Sequence, residues 1–336
     1  MYKQIIRPLL FLLEPEKVHN LFAAGLKSYS HLPWFRTLVR KQYRQTSTTF
    51  HWGGKMINCR IGLSAGFDKT GEIFDKLSDF GFGFVEIGTI TPSPQPGNPG
   101  PRIFRLPKYD SLISRTGFNN PGLDKLNEHL NRTSRNYLLG ININKNPESV
   151  GETAVCDILS LYKTLSPKAD YFTINLPSPD DDTFIRTLNE LDQYRISSLE
   201  SRPVLLKLSA DLSEESVNKV VDLVRKFHID GVIATGPTTD RSAIQNYTIE
   251  ELAAYGSGGV SGKGIGNKSR RIVKQLRMQL GKNFLIIGAG GITTPKDALD
   301  MKDAGADLIQ IYSAFIFSGP SVVKKMEKVI NRITAE

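Results

Sequence analysis

Eight short apolar segments alternate with eight helix-like segments, and this alternation predicts an α/β fold, a (β/α)8 TIM barrel with a small N-terminal helical appendage. Each apolar segment is five to seven residues long and rich in Val, Ile, Leu or Phe, which is typical of parallel strands buried on both faces. The chain has 336 residues, somewhat more than one barrel needs. We therefore expect an appendage over residues 1–50 and a barrel over residues 51–336.

The predicted strands leave room for a helix between each pair. They are residues 61–65, 83–88, 138–143, 170–176, 203–208, 229–235, 284–288 and 307–312. Amphipathic stretches such as 213–227 and 295–304 fill the gaps. In such barrels the chemistry is carried by the C-terminal ends of the strands, so the loops that follow these segments are where a site is expected.

The N-terminal segment is both basic and apolar. Residues 1–60 contain ten Lys or Arg and two acidic residues, which gives this segment +8 of the net charge of +9. Leu, Ile, Phe and Trp are interleaved with these cations, a pattern typical of short helices that lie on a membrane surface. The alternative is that the apolar faces simply pack on the barrel.

Composition narrows the possible partners. No apolar run approaches the roughly 20 residues of a membrane span. We expect a peripheral protein on the cytoplasmic side of the cell membrane, with residues 1–45 on an anionic lipid surface. Nucleic acid is not an expected partner, because the cations are interleaved with Leu and Phe. Cys59 and Cys156 form no spacing pattern, and the five histidines show no ligand spacing, so no metal is predicted.

Four connecting segments have their own signals. Residues 51–60 are expected to form a strand or hairpin across the bottom of the barrel, after a polar stretch, 42–49, that ends the appendage. Residues 91–120 are rich in Pro and Gly, and 177–182 and 237–268 read as irregular. Long ordered loops on the catalytic face are usually functional.

Glycines follow the last two predicted strands. Strand seven ends in Gly288-Ala-Gly-Gly291, strand eight ends in Tyr312-Ser313, and a further cluster is Gly258-Gly-Val-Ser-Gly262. Glycine lets the backbone approach phosphate oxygens closely, and the loops after strands seven and eight often bind phosphate. The pattern predicts a ligand that carries a phosphate group.

Four polar residues lie at or near other strand ends, namely Lys69, Asn142, Asn175 and Lys207. A lysine inside an apolar strand must be paired or must face a ligand. For Lys207, one interpretation is an ion pair inside the barrel, and the other is a cation beside a flavin, whose reduced anion it would stabilise. A phosphate site, a cation and amide side chains together favour flavin mononucleotide (FMN). No Gly-x-Gly-x-x-Gly follows the first strand, so a Rossmann site is not predicted.

Several long motifs resemble the dihydroorotate dehydrogenase family. They are Ala65-Gly-Phe-Asp-Lys-Thr-Gly-Glu72, Glu86-Ile-Gly-Thr-Ile-Thr-Pro-Ser-Pro-Gln-Pro-Gly-Asn98, Pro101-Arg-Ile-Phe-Arg105, Gly117-Phe-Asn-Asn120, Asp230-Gly-Val-Ile-Ala-Thr235, Gly258-Gly-Val-Ser-Gly262 and Gln310-Ile-Tyr-Ser313. The appendage resembles that of the membrane-associated, quinone-reducing class (class 2). That class uses a serine as base where the soluble class uses cysteine, and Ser178 occupies this position.

The resemblance implies an oxidoreductase of pyrimidine biosynthesis that converts dihydroorotate to orotate. A base, Ser178, would remove a proton from carbon 5, hydride would pass from carbon 6 to FMN, and a membrane quinone would enter between the N-terminal helices. Serine is a poor base and needs a dry, oriented site. The implied FMN contacts are Ala65, Gly66, Lys69, Thr89, Asn142, Asn175, Lys207, Thr235, Gly262, Gly291, Tyr312 and Ser313.

The substrate positions depart from the family pattern. The implied contacts are Lys69, Ser114, Arg115, Thr116, Gly117, Phe118, Asn175, Asp180, Gly236 and Pro237. Three of four amide-bearing positions have changed: the family's Asn residues are here Ser114, Asp180 and Gly236. Asn144 also replaces a glycine of the family.

These changes leave alternatives open. A second negative charge about 4 Å from anionic orotate would cost roughly 4 kcal/mol at an effective dielectric of 20. Either another loop supplies the amides, or Asp180 swings away, or the chain acts on another cyclic amide or dihydropyrimidine. A third interpretation is a catalytically silent FMN-binding membrane protein, against which Ser178 and Lys69 argue.

Overall fold

The computed structural model describes residues 2–29, 31–45, 50–52, 54–130 and 137–334. Its strands are β1 (Phe50–Trp52), β2 (Lys55–Ile57), β3 (Ile61–Leu63), β4 (Phe84–Ile90), β5 (Ile103–Leu106), β6 (Ser111–Ser114), β7 (Leu138–Ile143), β8 (Tyr171–Asn175), β9 (Val204–Leu208), β10 (Gly231–Ala234), β11 (Gly259–Gly262), β12 (Leu285–Ala289) and β13 (Leu308–Ile311).

The helices follow the strands as the alternating pattern predicts. They are α1 (Arg7–Phe11), α2 (Pro15–Tyr29), α3 (Pro33–Tyr43), α4 (Phe74–Leu77), α5 (Leu123–Leu130), α6 (Gly151–Leu165), α7 (Asp182–Ser197), α8 (Glu214–Lys226), α9 (Ile249–Ala253), α10 (Gly266–Leu280), α11 (Pro295–Asp303), α12 (Ser313–Ser318) and α13 (Ser321–Thr334). A π-helical turn, Tyr2–Ile6, precedes α1.

Eight parallel strands close into a barrel in the order β3, β4, β7, β8, β9, β10, β12 and β13, so the predicted fold class is confirmed. Each strand lies within one of the predicted apolar segments or extends it by one or two residues. The strands are buried almost throughout, because helices cover their outer faces and side chains fill the barrel interior.

The bottom of the barrel is closed by the predicted hairpin. Strands β1 and β2 pair antiparallel, and Phe50 and Trp52 pack on the apolar cluster at the N-terminal ends of the barrel strands. The ring centroid of Trp52 lies 4.6 Å from that of Tyr171. With this end filled, space for a ligand is left at the opposite end, where the loops carry the candidate residues.

The loop over residues 237–268 is less irregular than the sequence predicts. It contains α9 and β11, and β11 pairs with β6, which in turn pairs with β5, in a three-stranded antiparallel sheet above the C-terminal ends of the barrel. The short Gly-Val-Ser-Gly segment has no alternation of its own and becomes a strand only through its pairing with β6. This sheet forms one wall of the site.

The N-terminal helices pack on the barrel with part of their apolar surface and leave other apolar side chains exposed. Leu26 and Tyr29 are buried, whereas Leu12 is 83% exposed and Trp34 is 64% exposed. Among the described residues, no helix combines the length and apolar character needed to cross a bilayer. The predicted end of the appendage lies partly outside the described residues, which omit 46–49.

Candidate active site

A cavity of about 790 Å³ opens above the C-terminal ends of the barrel strands and continues between the N-terminal helices. It brings together thirteen of the residues that the sequence nominated. They are Ala65, Gly66, Lys69, Ser114, Thr116, Lys207, Thr235, Gly236, Pro237, Gly262, Gly291, Tyr312 and Ser313. These residues come from distant parts of the sequence, and the fold brings them together in one chamber.

The floor of the cavity carries a buried ion pair. The Lys207 ammonium lies 3.3 Å from Glu86 Oε1 and donates to Ser64 Oγ at 3.1 Å. Lys207 also lines the cavity. The two interpretations of this lysine therefore do not compete, because the same ammonium is paired inside the barrel and faces the space where a ligand would lie.

Two asparagines sit at the edge of this floor. Asn142 and Asn175 exchange hydrogen bonds of 3.1 Å, and Asn175 Nδ2 also donates to Thr89 Oγ1 at 3.4 Å. None of these three residues is among those that line the cavity. The structure thus places the three residues together at the ends of β4, β7 and β8, and the two asparagine amides hydrogen-bond to each other.

The glycine turn after β12 is demanded by close packing. Gly290 and Gly291 have φ of +86° and +77°, in the left-handed region that favours glycine. A Cβ on Gly291 would lie 2.0 Å from Gly266 Cα at the start of α10. The turn therefore packs directly on the N-terminal end of α10, and Gly290 and Gly291 line the cavity there.

Lys69 lies on the opposite wall and donates to Asn119 Oδ1 at 2.6 Å. Burial, and to a smaller degree the nearby Arg102, lower the pKa of Lys69 to about 8, and Glu16 opposes the shift. Arg102 is itself held by Glu16, with Arg102 Nη2 2.6 Å from the carboxylate oxygen. The wall thus carries a cation, Lys69, that loses its proton as the pH rises through about 8, and a permanently charged arginine lies near it.

The remaining nominated residues point elsewhere. Arg115 donates to the carbonyl oxygens of Tyr255, Ser257 and Pro101 and stacks over Phe104 at 4.8 Å. Gly117 and Phe118 are exposed and have positive φ, and neither is among the cavity-lining residues. Arg115 therefore braces the small sheet and does not reach the chamber.

The loop that follows β8 carries Ser178 away from the cavity. Ser178 is exposed, and its Oγ accepts a hydrogen bond of 3.3 Å from the Asp180 backbone N–H. The Asp180 carboxylate lies 2.8 Å from the Lys219 ammonium of α8. Asp180 has therefore swung outward, which is one of the alternatives that the sequence left open.

Sequence reasoning missed polar residues in the barrel interior. Glu86 and Gln310 are both buried in otherwise apolar strands, the same signal that nominated Lys207. Gln310 Nε2 donates to Glu86 at 2.9 Å, whereas its buried Oε1 accepts no hydrogen bond from the described residues and Gln310 lines the cavity. The Gln310 Oε1 atom at the cavity floor could therefore accept a hydrogen bond from an N–H or O–H group of a bound molecule.

The continuation of the cavity between the N-terminal helices is apolar. Its wall includes Ile6, Leu10, Phe11, Val18, Leu21, Phe22, Phe315 and Ile316. His19 lies where this arm meets the barrel, with its ring 5.3 Å from that of Phe67. Burial lowers the pKa of His19, and Lys69 adds to this effect, so the imidazole is neutral around pH 7. The chamber thus has a charged end and an apolar end.

Comparison with known proteins identifies the family. The sequence model described as dihydroorotate dehydrogenase matches residues 47–334. The chain belongs to the dihydroorotate dehydrogenase family. The resemblance read from the sequence motifs is therefore confirmed.

Relatives match over nearly their full length. The dihydroorotate dehydrogenase (quinone) of Christiangramia forsetii is 35% identical, with 98% of each chain covered. That of Pectobacterium atrosepticum is 38% identical over 96% of this chain and 98% of its own. A crystal structure of the enzyme from Eimeria tenella in complex with ferulenol superposes with a TM-score of 0.77 at 29% identity, covering 96% of this chain and 92% of that one. The fold and length of this chain are those of its relatives.

Proposed function

We propose that the chain oxidises dihydroorotate to orotate, a step of pyrimidine biosynthesis, with FMN as cofactor and a membrane quinone as electron acceptor. The observation that carries this proposal is the two-ended cavity, which joins a charged floor at the strand ends to an apolar arm between helices. A charged end suits an anionic ring, and an apolar arm suits a lipid-soluble acceptor. The similarity to quinone-dependent dihydroorotate dehydrogenases favours this activity over two alternatives, namely oxidation of another cyclic amide and a flavoprotein without catalytic activity.

The residues around the floor fit a flavin. Lys207 supplies a cation, Gln310 an unpaired acceptor, and Gly291 a glycine turn at the N-terminal end of α10. The residues that would hold FMN are Ala65, Gly66, Lys69, Thr89, Asn142, Asn175, Lys207, Thr235, Gly262, Gly291, Tyr312 and Ser313. FMN, when bound, would supply the acceptor for the hydride of carbon 6 and a carrier that passes its two electrons on to the quinone.

The chain's own residues would bind the substrate and move its proton. Lys69 carries the positive charge that attracts the orotate carboxylate, and the Ser114 and Thr116 hydroxyls replace part of the lost amide set. Of the remaining substrate positions, Gly236 and Pro237 line the cavity beside them, whereas Arg115, Gly117, Phe118, Asn175 and Asp180 do not line it. Because Ser178 is exposed, its loop must close before its hydroxyl can take the proton of carbon 5 in a dry site.

Quinone access would join chemistry to the membrane. We assign residues 1–50 as a membrane-facing unit on the barrel of 51–336, with residues 1–45 against anionic lipid on the cytoplasmic side. The apolar residues exposed on this unit include Leu9, Leu12, Leu21, Trp34 and Leu38. A quinone dissolved in lipid could then enter the apolar arm without crossing water.

The first test is the absorbance of detergent-purified protein before and after anaerobic addition of dihydroorotate. We expect a flavin band that bleaches, and that returns when a quinone is added. Ser178→Ala should keep the band and bleach much more slowly, because it removes only the base. A yellow protein that stays yellow would contradict dihydroorotate as substrate, and a protein without flavin would contradict the proposal as a whole.

A further inference from the structure

A carboxylate with no solvent exposure lies directly beneath the cavity. Glu86 of β4 is 0% exposed, and both of its oxygens are engaged. Its Oε2 accepts hydrogen bonds from three neutral donors, the Tyr171 hydroxyl (3.3 Å), the Thr173 hydroxyl (3.1 Å) and the Gln310 amide (2.9 Å). Its Oε1 faces the Lys207 ammonium at 3.3 Å. Strands β4, β8, β9 and β13 thus converge on one side chain.

A glycine makes this convergence possible. Gly140 of β7 lies between β4 and β8 and pairs with both Glu86 and Tyr171. A Cβ on Gly140 would lie 2.1 Å from Tyr171 Cζ and 2.4 Å from the Tyr171 hydroxyl oxygen. The tyrosine ring therefore crosses over Gly140 to reach the carboxylate.

We propose that Glu86 is a positioning residue that holds the Lys207 ammonium at the cavity floor and offsets part of its charge, and thereby lowers the reduction potential of the bound flavin. This inference rests on the proposed function only in that it requires a flavin above Lys207. The established role of a cation near a flavin is to stabilise the reduced anion. A carboxylate behind that cation weakens the field that the flavin feels.

The distribution of partners supports this division of roles. Three neutral donors satisfy one carboxylate oxygen and leave the other to the ammonium, so the ionised carboxylate is stabilised without a second cation. Burial and the proximity of Glu86 raise the pKa of Tyr171 well above its ordinary value, so its hydroxyl remains a donor. In this low-dielectric interior the charge of Glu86 acts on Lys207 with little screening.

The test measures the midpoint potential of the bound flavin in four proteins: the parent, Glu86→Gln, Lys207→Met and the double variant. Equilibration with reference dyes is used, and no dihydroorotate is added. We expect Glu86→Gln to raise the potential, because Gln keeps the shape and removes the opposing charge. We expect Glu86→Gln to raise the potential less in the Lys207→Met background than in the parent, because the part of its effect that depends on the position of the ammonium is then absent.

Other outcomes overturn the inference. An unchanged or lowered potential in Glu86→Gln would do so, and so would a rise that is equally large in the Lys207→Met background. If Glu86→Gln does not fold, Glu86→Asp serves instead, because it withdraws the carboxylate by one carbon and should raise the potential by a smaller amount. An unchanged potential in Glu86→Asp would also overturn the inference. Glu327→Gln removes another carboxylate of 0% exposure, held by the Arg60 backbone N–H, and should leave the potential unchanged.

This experiment separates the inference from the proposed function. A flavin that dihydroorotate fails to bleach would contradict the substrate, yet its potential can still be measured with dyes. A flavin that dihydroorotate bleaches, with equal potentials in the parent and Glu86→Gln, would overturn the inference alone. A chain that binds no flavin would overturn both.

Discussion

Asp180 pairs with Lys219, with 2.8 Å between the Asp180 carboxylate and the Lys219 ammonium, and this pair lies on the outside of the loop that carries Ser178. The family has an asparagine at position 180, and an aspartate turned inward would repel anionic orotate. The pair with Lys219 directs that charge to solvent. The loop is anchored on its other side by Asp181, which caps α7 by accepting a hydrogen bond of 2.7 Å from the Phe184 N–H.

The outward direction of Asp180 predicts that its charge has little influence on the pocket. We expect Asp180→Asn to change the dissociation constant of orotate by less than about threefold, since an exposed charge paired with a cation is well screened. Titration of the flavin absorbance with orotate measures this constant. Tightening of about 100-fold or more would mean that the carboxylate points inward when orotate binds.

Removal of Lys219, the cation that pairs with Asp180, should weaken the binding of orotate. In Lys219→Met the aspartate loses its anchor, so we expect weaker orotate binding than in the parent. The double variant Asp180→Asn with Lys219→Met should bind orotate as the parent does. Weakening that persists in the double variant would show that Lys219 acts on the site by another route.

Gly236 stands where the family has an asparagine, and the structure leaves room for that side chain. A Cβ on Gly236 would have one neighbouring heavy atom within 4 Å, the carbonyl oxygen of Leu208, at an ordinary contact distance of 3.6 Å. We expect Gly236→Asn to tighten orotate binding by about threefold to tenfold, the equivalent of one additional hydrogen bond. Gly236→Ala is the matched control, since it adds the Cβ without the amide. Equal tightening in both variants would rule out an amide contact as the cause.

Lys69 gives the site a dependence on pH. Because the pKa of Lys69 is lowered to about 8, the ammonium is charged below that pH and loses its proton as the pH rises through it. We therefore expect the affinity for orotate to be constant below about pH 7.5 and to fall by up to tenfold for each pH unit above 8.5. Lys69→Met should bind weakly at all pH values, and Lys69→Arg should remove the fall. A fall of equal steepness in Lys69→Arg would assign it to another group.

The sequence predicts the barrel well because its strands are buried on both faces and so appear as continuous apolar runs. Strand β11 was missed because Gly259–Gly262 becomes a strand only beside β6. Lys207 was found as a polar residue in an apolar strand, and Glu86 could have been found in the same way. The direction of Asp180 could not, because it depends on Lys219, 39 residues further along the chain.

A buried carboxylate, Asp79, helps to fasten helices α2 and α3 to the barrel. Asp79, 4% exposed, lies 2.6 Å from Arg36 Nε and 2.5 Å from Arg40 Nε, and it accepts a hydrogen bond of 3.2 Å from the Tyr29 hydroxyl. We expect Asp79→Asn to loosen α2 and α3 and to lower the free energy of unfolding by about 1.5–3 kcal/mol. Quinone reduction should slow more than flavin reduction by dihydroorotate, because only the quinone arm lies between these helices.

Stopped-flow measurement of the two half-reactions checks this partition. Asp300→Asn is the matched control, since it removes a partly buried carboxylate from an ion pair with Lys296 on α11, remote from the N-terminal helices, and should alter neither rate. If Asp79→Asn slowed both half-reactions equally, the carboxylate would support the whole barrel and not the helices alone.

The exposed leucines of α1 and its following turn predict where the protein meets lipid. Leu9 and Leu12 are 62% and 83% exposed, so Ser at both positions should leave the fold intact and remove apolar surface that could enter a bilayer. We expect binding to anionic phosphatidylglycerol vesicles to weaken by about tenfold or more, since burial of a leucine side chain contributes about 1.5–3 kcal/mol. Vesicle co-sedimentation measures this. Leu199→Ser, at a fully exposed leucine of the barrel, should bind as the parent does, and equal losses in both variants would mean that the N-terminal helices are not the membrane-facing surface.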